Sequence, residues 1–145
     1  MKKPINLLTG AAMSVCFLFG TSAMAQTMSS TDFSAAKARI KAEYKADKKN
    51  CASLSSNAKD ICIAEAKGKE AIALAELDHS HKPTLKAQYK VSVAKAEAAY
   101  DVAKQKCDDL SGNPKDVCVK EAKATLTAAK ADASVQMKTS EANNK

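Results

Sequence analysis

The chain contains one segment twice, and each copy places two cysteines around a turn-forming sequence. Residues 51–67 and residues 107–123 both fit the pattern CxxLSxNxKDxCxxEAK, with ten of seventeen positions identical at an offset of 56. Tyr44 and Tyr100 also correspond, each seven residues before the first cysteine of its copy. A repeat of this length is typical of one supersecondary unit per copy. The sequence therefore predicts two copies of the same small unit.

The turn residues of the second copy indicate that this unit is a pair of helices. Gly112 can adopt the left-handed conformation that ends a helix, just after Leu110. Asn113 is a favourable N-cap, and Pro114 suits the first helical position, where the missing N–H has no partner. The same reasoning starts a helix at Ala58 in the first copy. Each copy is thus predicted to be an αα-hairpin with a short turn at its tip.

Four cysteines in the two copies are predicted to form structural disulfides: Cys51, Cys62, Cys107 and Cys118. Pairing within each copy is favoured because a turn interrupts each pair, so that the bond would join the two helices of one hairpin. Two pairings between the copies remain open, namely Cys51 with Cys107 and Cys62 with Cys118, or Cys51 with Cys118 and Cys62 with Cys107. Zinc or redox chemistry is disfavoured, since ten residues separate the cysteines of each pair and no histidine accompanies them.

Residues that would form the inner faces of amphipathic helices lie on both sides of each tip; they recur every three or four positions in the first, third and fourth helices, and in the second they are its large apolar residues. In the first and third helices these residues are Phe33, Ala36, Ile40, Tyr44, Asp47, Cys51 and Leu54, and Leu85, Tyr89, Ser92, Ala96, Tyr100, Ala103, Cys107 and Leu110. In the second and fourth they are Ile61, Ile63, Ile72, Leu74 and Leu77, and Val119, Ala122, Leu126, Ala129 and Ala133. The predicted fold is all-α, with two disulfide-stapled αα-hairpins arranged as an antiparallel four-helix bundle or as elongated helical hairpins.

The two repeats, about 31–78 and 84–138, are predicted to form one helical domain joined by a His/Pro linker at 79–83. In this linker Pro83 ends the second helix, and Thr84 then caps the third.

Alanine-rich helix faces pack closely but bury little area per contact, so disulfides would compensate for a thin core. Gly68 permits close helix approach at some cost in helix propensity.

The N-terminus reads as a secretory signal peptide spanning residues 1–25. Lys2 and Lys3 precede an apolar run that is too short for a membrane anchor, and the run ends in an A-x-A cleavage site at Ala25. Cleavage would remove Cys16 and leave 21 basic and 16 acidic residues, a net charge of +5. The predicted location is the periplasm, with no transmembrane segment after cleavage.

The segment CDDLSGNPKDVCVKEAKA and its earlier copy resemble a family of small, exported, Ala/Lys-rich proteobacterial proteins that carry the same duplicated C-x10-C segment. Most of these proteins are uncharacterised, and some are labelled TolA-like cell-envelope biogenesis proteins. The resemblance covers most of the predicted mature chain, and the TolA likeness rests on Ala/Lys/Glu helices. What the resemblance implies is a cell-envelope context rather than a particular chemistry.

The sequence favours a non-enzymatic envelope protein that has a structural or protein-interaction role. No catalytic, cofactor-binding or metal-binding residue is predicted, and the expected partner is an unidentified envelope protein or a second copy of the chain. No nucleic acid is expected as a partner, because the lysines alternate with acidic residues and lack an aromatic platform for bases. The lysines are interpreted as a solvated surface with i to i+4 ion pairs.

Two alternative functions follow from particular residues. His79 and His81, beside Asp78, could hold Cu(II) or Ni(II) weakly, although a third fixed ligand is missing. The basic balance of the predicted mature chain could instead favour anionic envelope surfaces, with binding that weakens in salt.

Overall fold

The computed structural model describes residues 28–145, and every regular element in this range is helical. The helices are α1 (Ser30–Asn50), a short 3₁₀ turn (Cys51–Ser53), α2 (Ser56–His81), α3 (Leu85–Cys107) and α4 (Gly112–Asn143). The all-α prediction is therefore confirmed for this part of the chain. The predicted signal peptide and its cleavage site lie outside the described residues.

The four helices form an antiparallel array in which each helix packs against its neighbours in sequence. Contacts join α1 to α2, α2 to α3 and α3 to α4, and those between α2 and α3 are the most extensive. Within residues 28–145, α1 contacts neither α3 nor α4, and α2 does not contact α4. The bundle is consequently an open layer, with α2 and α3 inside and α1 and α4 at its edges.

Both disulfides form within their own copy, Cys51 with Cys62 and Cys107 with Cys118. The paired Cα atoms are 5.6 and 5.7 Å apart, a usual separation for a disulfide. The first cysteine of each pair is almost completely buried, with 1% exposure at Cys51 and 0% at Cys107. The prediction of two stapled αα-hairpins is confirmed, and the pairings between the copies do not occur.

The second helix of each hairpin begins two residues earlier than predicted. The starting residues are Ser56 and Gly112 rather than Ala58 and Pro114. Ser56 and Gly112 occupy the same repeat position and have left-handed backbone, with φ of 51° and 60°. The predicted left-handed glycine is therefore confirmed, but it lies at the start of α4. The predicted Asn113 N-cap is wrong, since Ser111 occupies the N-cap position.

The first helix of each hairpin also ends earlier than Leu110 and its equivalent Leu54. Helix α3 ends at Cys107, and the amide of Leu110 donates to the carbonyl of Cys107 at 3.1 Å. The amide of Leu54 donates to the carbonyl of Cys51 at the same distance, 3.1 Å. The first cysteine of each pair therefore lies at the end of its helix, where the chain tightens into a 3₁₀-type turn.

The connection between the hairpins is shorter than the predicted linker at 79–83. Helix α2 continues to His81, so that residues 82–84 alone join it to α3. The side chain of Thr84 accepts a hydrogen bond from the amide of Ala87 at 3.1 Å, which confirms Thr84 as the N-cap of α3. At the other end of the repeat, α4 runs to Asn143 and extends past the predicted boundary at 138.

The predicted stripes lie on the covered faces of the helices, except at the last residues of the first and third stripes. All residues of α1 that are not exposed belong to its predicted stripe. Leu54 and Leu110, the predicted ends of two stripes, are instead exposed by 43% and 44%. The core is thin, as expected from the composition. Its buried hydrophobic residues are Cys51, Ala64, Ala66, Leu77, Cys107 and Ala133.

The two inner helices meet at Gly68 of α2 and Ala98 of α3. A Cβ atom added to Gly68 would lie 2.7 Å from the Cβ of Ala98 and 3.3 Å from its Cα. Real side chains do not approach this closely, so the glycine is required by the separation of the two helices. The predicted role of Gly68 in close helix packing is confirmed.

Candidate functional site: a groove between the inner helices

The two disulfide-stapled tips lie side by side at one end of the layer. The Nδ2 group of Asn57, at the start of α2, donates a hydrogen bond to the carbonyl of Gln105 near the end of α3, at 2.7 Å. This bond joins the first tip to the second, and it gives Asn57 a role that helix capping did not predict. Each disulfide therefore joins the two helices of its own hairpin, and the Asn57 hydrogen bond joins the two hairpins.

The two histidines are placed apart in the last turn of α2. Residues two positions apart in a helix do not face each other, so the rings of His79 and His81 point in different directions. His81 lies against α1, where its ring centroid is 4.6 Å from that of Phe33 and its Nδ1 is 3.2 Å from the carbonyl oxygen of Met28. Nδ1 of His79 is buried and has no hydrogen-bond partner among the described residues.

This arrangement does not bring the histidines together as a pair of metal ligands. Among residues 28–145, no group of three or more His, Cys, Asp or Glu side chains is placed to hold a metal ion. The ring of His81 instead anchors the N-terminal end of α1 to the C-terminal end of α2. Its observed contacts are therefore those of a packing residue.

An apolar groove runs along one face of the α2–α3 pair. It has a volume of about 720 Å³ and follows α2 from Glu65 to Glu76, which corresponds to roughly 16 Å of helix at 1.5 Å per residue. The uncharged residues that line it are Gly68, Ile72 and Ala73 from α2, and Ala98, Ala99, Val102 and Ala103 from α3. We call this set the groove floor. Its side chains are mostly small, so the backbones of α2 and α3 are accessible to close approach.

Charged side chains border the groove floor on both helices: Glu65, Lys69 and Glu76 from α2, and Lys95 and Lys106 from α3. Lys95 and Glu76 form an ion pair of 2.7 Å that spans the two helices at the end nearer their connection. At the other end, near the hairpin tips, Glu65 and Lys106 form no ion pair with another described residue. We call this end the groove mouth.

Lys69 is turned away from the groove floor toward α1. Its Nζ lies 3.0 Å from the carboxylate of Asp47, and the hydrogen bond to Asp47 raises the pKa of Lys69 above its ordinary value. Lys69 is therefore fully charged at neutral pH. Lys69 is thus already paired with a carboxylate, in contrast to the charges at the groove mouth.

The ion pairs differ from the predicted i to i+4 pattern. The four pairs found in the described part of the chain join different helices, or join α4 to the C-cap residue of α3, with distances of 2.6 to 3.0 Å. Their members are Lys69 and Asp47, Lys95 and Glu76, Lys115 and Asp108, and Lys130 and Glu97. Lysine side chains in an open layer reach carboxylates on the adjacent helix, which explains why the prediction from one helix at a time was wrong.

Neither the groove floor nor its mouth was predicted as a site. Val102, Ala99 and Ala98 lie on α3, about 30 residues from the α2 positions that they face, so no short motif contains the groove. The sequence feature that could have indicated the groove is a second face of small and apolar residues on α3, beside the stripe that packs on α4. Periodicity alone assigned one buried face to each helix.

Comparisons with protein-family models, with curated proteins and with solved structures gave no match to the chain. Within residues 28–145, no helix combines the length and the apolar character that crossing a membrane requires. The two disulfides indicate an oxidising compartment.

Proposed function

We propose that the chain is a non-enzymatic helical protein of the cell envelope that acts by binding another protein through the α2–α3 groove. The observation that carries this proposal is the groove floor, an apolar strip at the centre of an open helical layer whose residues are mostly half-buried and are not covered by a further helix. In the central helices, apolar residues such as Ile72 and Val102 would ordinarily be covered by a further helix. The periplasm, expected from the signal peptide, is the proposed compartment.

The open arrangement of the helices supports this role. In a closed four-helix bundle the edge helices would meet, and the apolar residues of all four helices would share one core. Here α1 and α4 stay apart within the described residues, so the face bordered by Glu65 and Lys106 is accessible along its length. A partner could reach this face without unfolding the chain.

The proposal is tested by crosslinking in intact cells of the native host, followed by mass spectrometry of the proteins recovered with the tagged chain. Ala99 is an exposed residue of the groove floor, so Ala99→Glu places a charge in the groove without entering the core. Ala71→Glu is the matched control, because Ala71 is an exposed alanine of α2 that does not line the groove.

We expect the wild type and Ala71→Glu to recover the same stoichiometric partner, and Ala99→Glu to lose it. Circular dichroism should show equal helix content in all three proteins. A partner that is recovered equally well with Ala99→Glu would contradict binding through the groove, and the absence of any partner from wild-type cells would contradict the proposed role itself.

A further inference from the structure

We infer that the groove receives an amphipathic α-helix of another protein, with a large apolar stripe, a basic residue facing α2 and an acidic residue facing α3 at the groove mouth. This inference rests on the proposed function and identifies the chemistry of the partner. The arguments come from the shape of the groove, from its charges and from the apolar residues of this chain.

The shape of the groove matches a third helix. Lining residues recur at spacings of three and four on both helices, for example at Gly68, Ile72 and Glu76. Such rows form ridges, and the space between two antiparallel helices accepts the ridge of another helix at an interaxial distance of about 8–10 Å. Because alanine and glycine dominate the groove floor, the partner must supply the large side chains, at positions i, i+3 or i+4, and i+7.

The charges at the groove mouth determine which charged residues the partner helix must carry on its two edges. Glu65 lies on the α2 side and Lys106 on the α3 side, and neither is neutralised by an ion pair within the described residues. A helix carrying Lys or Arg on one edge and Glu or Asp on the other would pair with both side chains. An anionic amphiphile such as a fatty acid offers a partner for Lys106 but none for Glu65, so the charges favour a polypeptide.

A second copy of the chain is a poor occupant of the groove. The large apolar residues that this chain exposes within residues 28–145 are Leu54, Leu110, Val117 and Val135. Leu54 and Leu110 lie in the turns at the tips, and Val117 and Val135 are eighteen residues apart on α4. These residues do not form a continuous stripe at helical spacing, so no exposed helix face between residues 28 and 145 provides the required ridge. The partner is therefore a different protein.

The test uses the purified chain and two fluorescent, lactam-bridged peptides that share a stripe of four leucines at positions i, i+4, i+7 and i+11. The first peptide carries lysine on one edge and glutamate on the other edge of its first turn, and the second peptide exchanges these two residues. Fluorescence anisotropy measures the Kd of each peptide for the wild type and for the double variant Glu65→Lys/Lys106→Glu.

We expect one peptide to bind the wild type about tenfold more tightly than the other, and the double variant to reverse this preference, because two charge pairs change sign together. Ala99→Glu should weaken both peptides, and Ala71→Glu neither. A fluorescent fatty acid should not compete with the preferred peptide.

Three results would overturn the inference: neither peptide binds, the double variant leaves the preference unchanged, or the fatty acid displaces the peptide. Recovery of a second copy as the partner in cells would also overturn it. The proposed function is tested by a separate result: it is contradicted if Ala99→Glu still recovers the cellular partner. If the peptides fail while that loss is observed, the groove remains a protein-binding site whose occupant is not this kind of helix.

Discussion

At the scale of single residues, the two hairpin tips adopt the same left-handed backbone conformation with different amino acids. The left-handed position holds Ser56 in the first copy and Gly112 in the second, with φ of 51° and 60°. A residue with a Cβ atom adopts this conformation at a cost that glycine avoids. No atom lies within 4 Å of a Cβ built on Gly112, so packing does not explain the difference. The duplication thus provides an internal comparison of backbone strain.

We expect reciprocal substitutions at this position to change stability in opposite directions. Ser56→Gly should raise the free energy of unfolding by about 0.5–1 kcal/mol, and Gly112→Ser should lower it by a similar amount. Urea denaturation followed by circular dichroism measures both. If both substitutions shift the urea midpoint in the same direction, left-handed backbone strain does not cause the difference in stability between the two tips.

A second substitution tests the contact that brings the inner helices together. Gly68→Ala should destabilise the fold by about 1–3 kcal/mol, because the new Cβ would overlap Ala98, although alanine favours a helix by up to about 1 kcal/mol. The double variant Gly68→Ala/Ala98→Gly should recover a large part of the loss in thermal unfolding. If Gly68→Ala instead raised the free energy of unfolding, α2 and α3 could move apart to admit the methyl group without destabilising the fold.

At the scale of helices, α1 and α4 illustrate what periodicity can and cannot predict. Each edge helix packs against one neighbour, and its single predicted stripe matches its covered face. The inner helices bury two faces, and the second face of α2 includes Gly68, whose hydropathy gives little signal. The starts of α2 and α4 are both predicted two residues late because the prediction takes the asparagine of each copy as the N-cap, a position that Ser55 and Ser111 occupy. Thr84, in contrast, follows the ordinary chemistry of an N-cap.

Helix α1 depends on its disulfide more than any other helix. It contains no buried residue and packs on α2 alone. Besides the disulfide, the specific contacts that hold it are the exposed Lys69–Asp47 pair and the contacts of His81 with Phe33 and Met28. We therefore expect α1 to detach before the rest of the layer.

The variant Cys51→Ala/Cys62→Ala should release α1 while α2 to α4 stay folded. Losing a disulfide that closes a loop of about a dozen residues costs roughly 3 kcal/mol in the chain-entropy argument, so amide exchange in α1 should accelerate by about 100-fold. Hydrogen exchange with mass spectrometry locates the change. The matched variant Cys107→Ala/Cys118→Ala should affect α4 less, since α4 buries Ala133 and contacts α3 more extensively. Equal protection of α1 in both variants would contradict this dependence.

At the scale of the whole molecule, the open layer leaves few sources of stability. Its two most deeply buried side chains are disulfide cysteines, and Leu77 is the largest of the remaining buried residues. The four ion pairs are exposed, and surface pairs contribute little and are screened by salt. Apolar burial between alanine-rich helices adds little area per contact. Oxidation of the cysteines is therefore a main condition of folding.

Reduction should consequently unfold the chain, while salt should not. The two disulfides together are worth about 6 kcal/mol, which is comparable with the total of about 5–15 kcal/mol for a typical domain. With a phosphine reductant, or with all four cysteines of the two tips changed to alanine, we expect most helical ellipticity at 222 nm to be lost by about 37 °C. Raising NaCl to about 0.5 M should move the melting temperature of the oxidised protein by no more than about 3 °C. A reduced chain that melts cooperatively near the melting temperature of the oxidised chain would show that apolar burial between the helices is enough to stabilise the fold. A large change of melting temperature with salt would show that the ion pairs are the main source of stability.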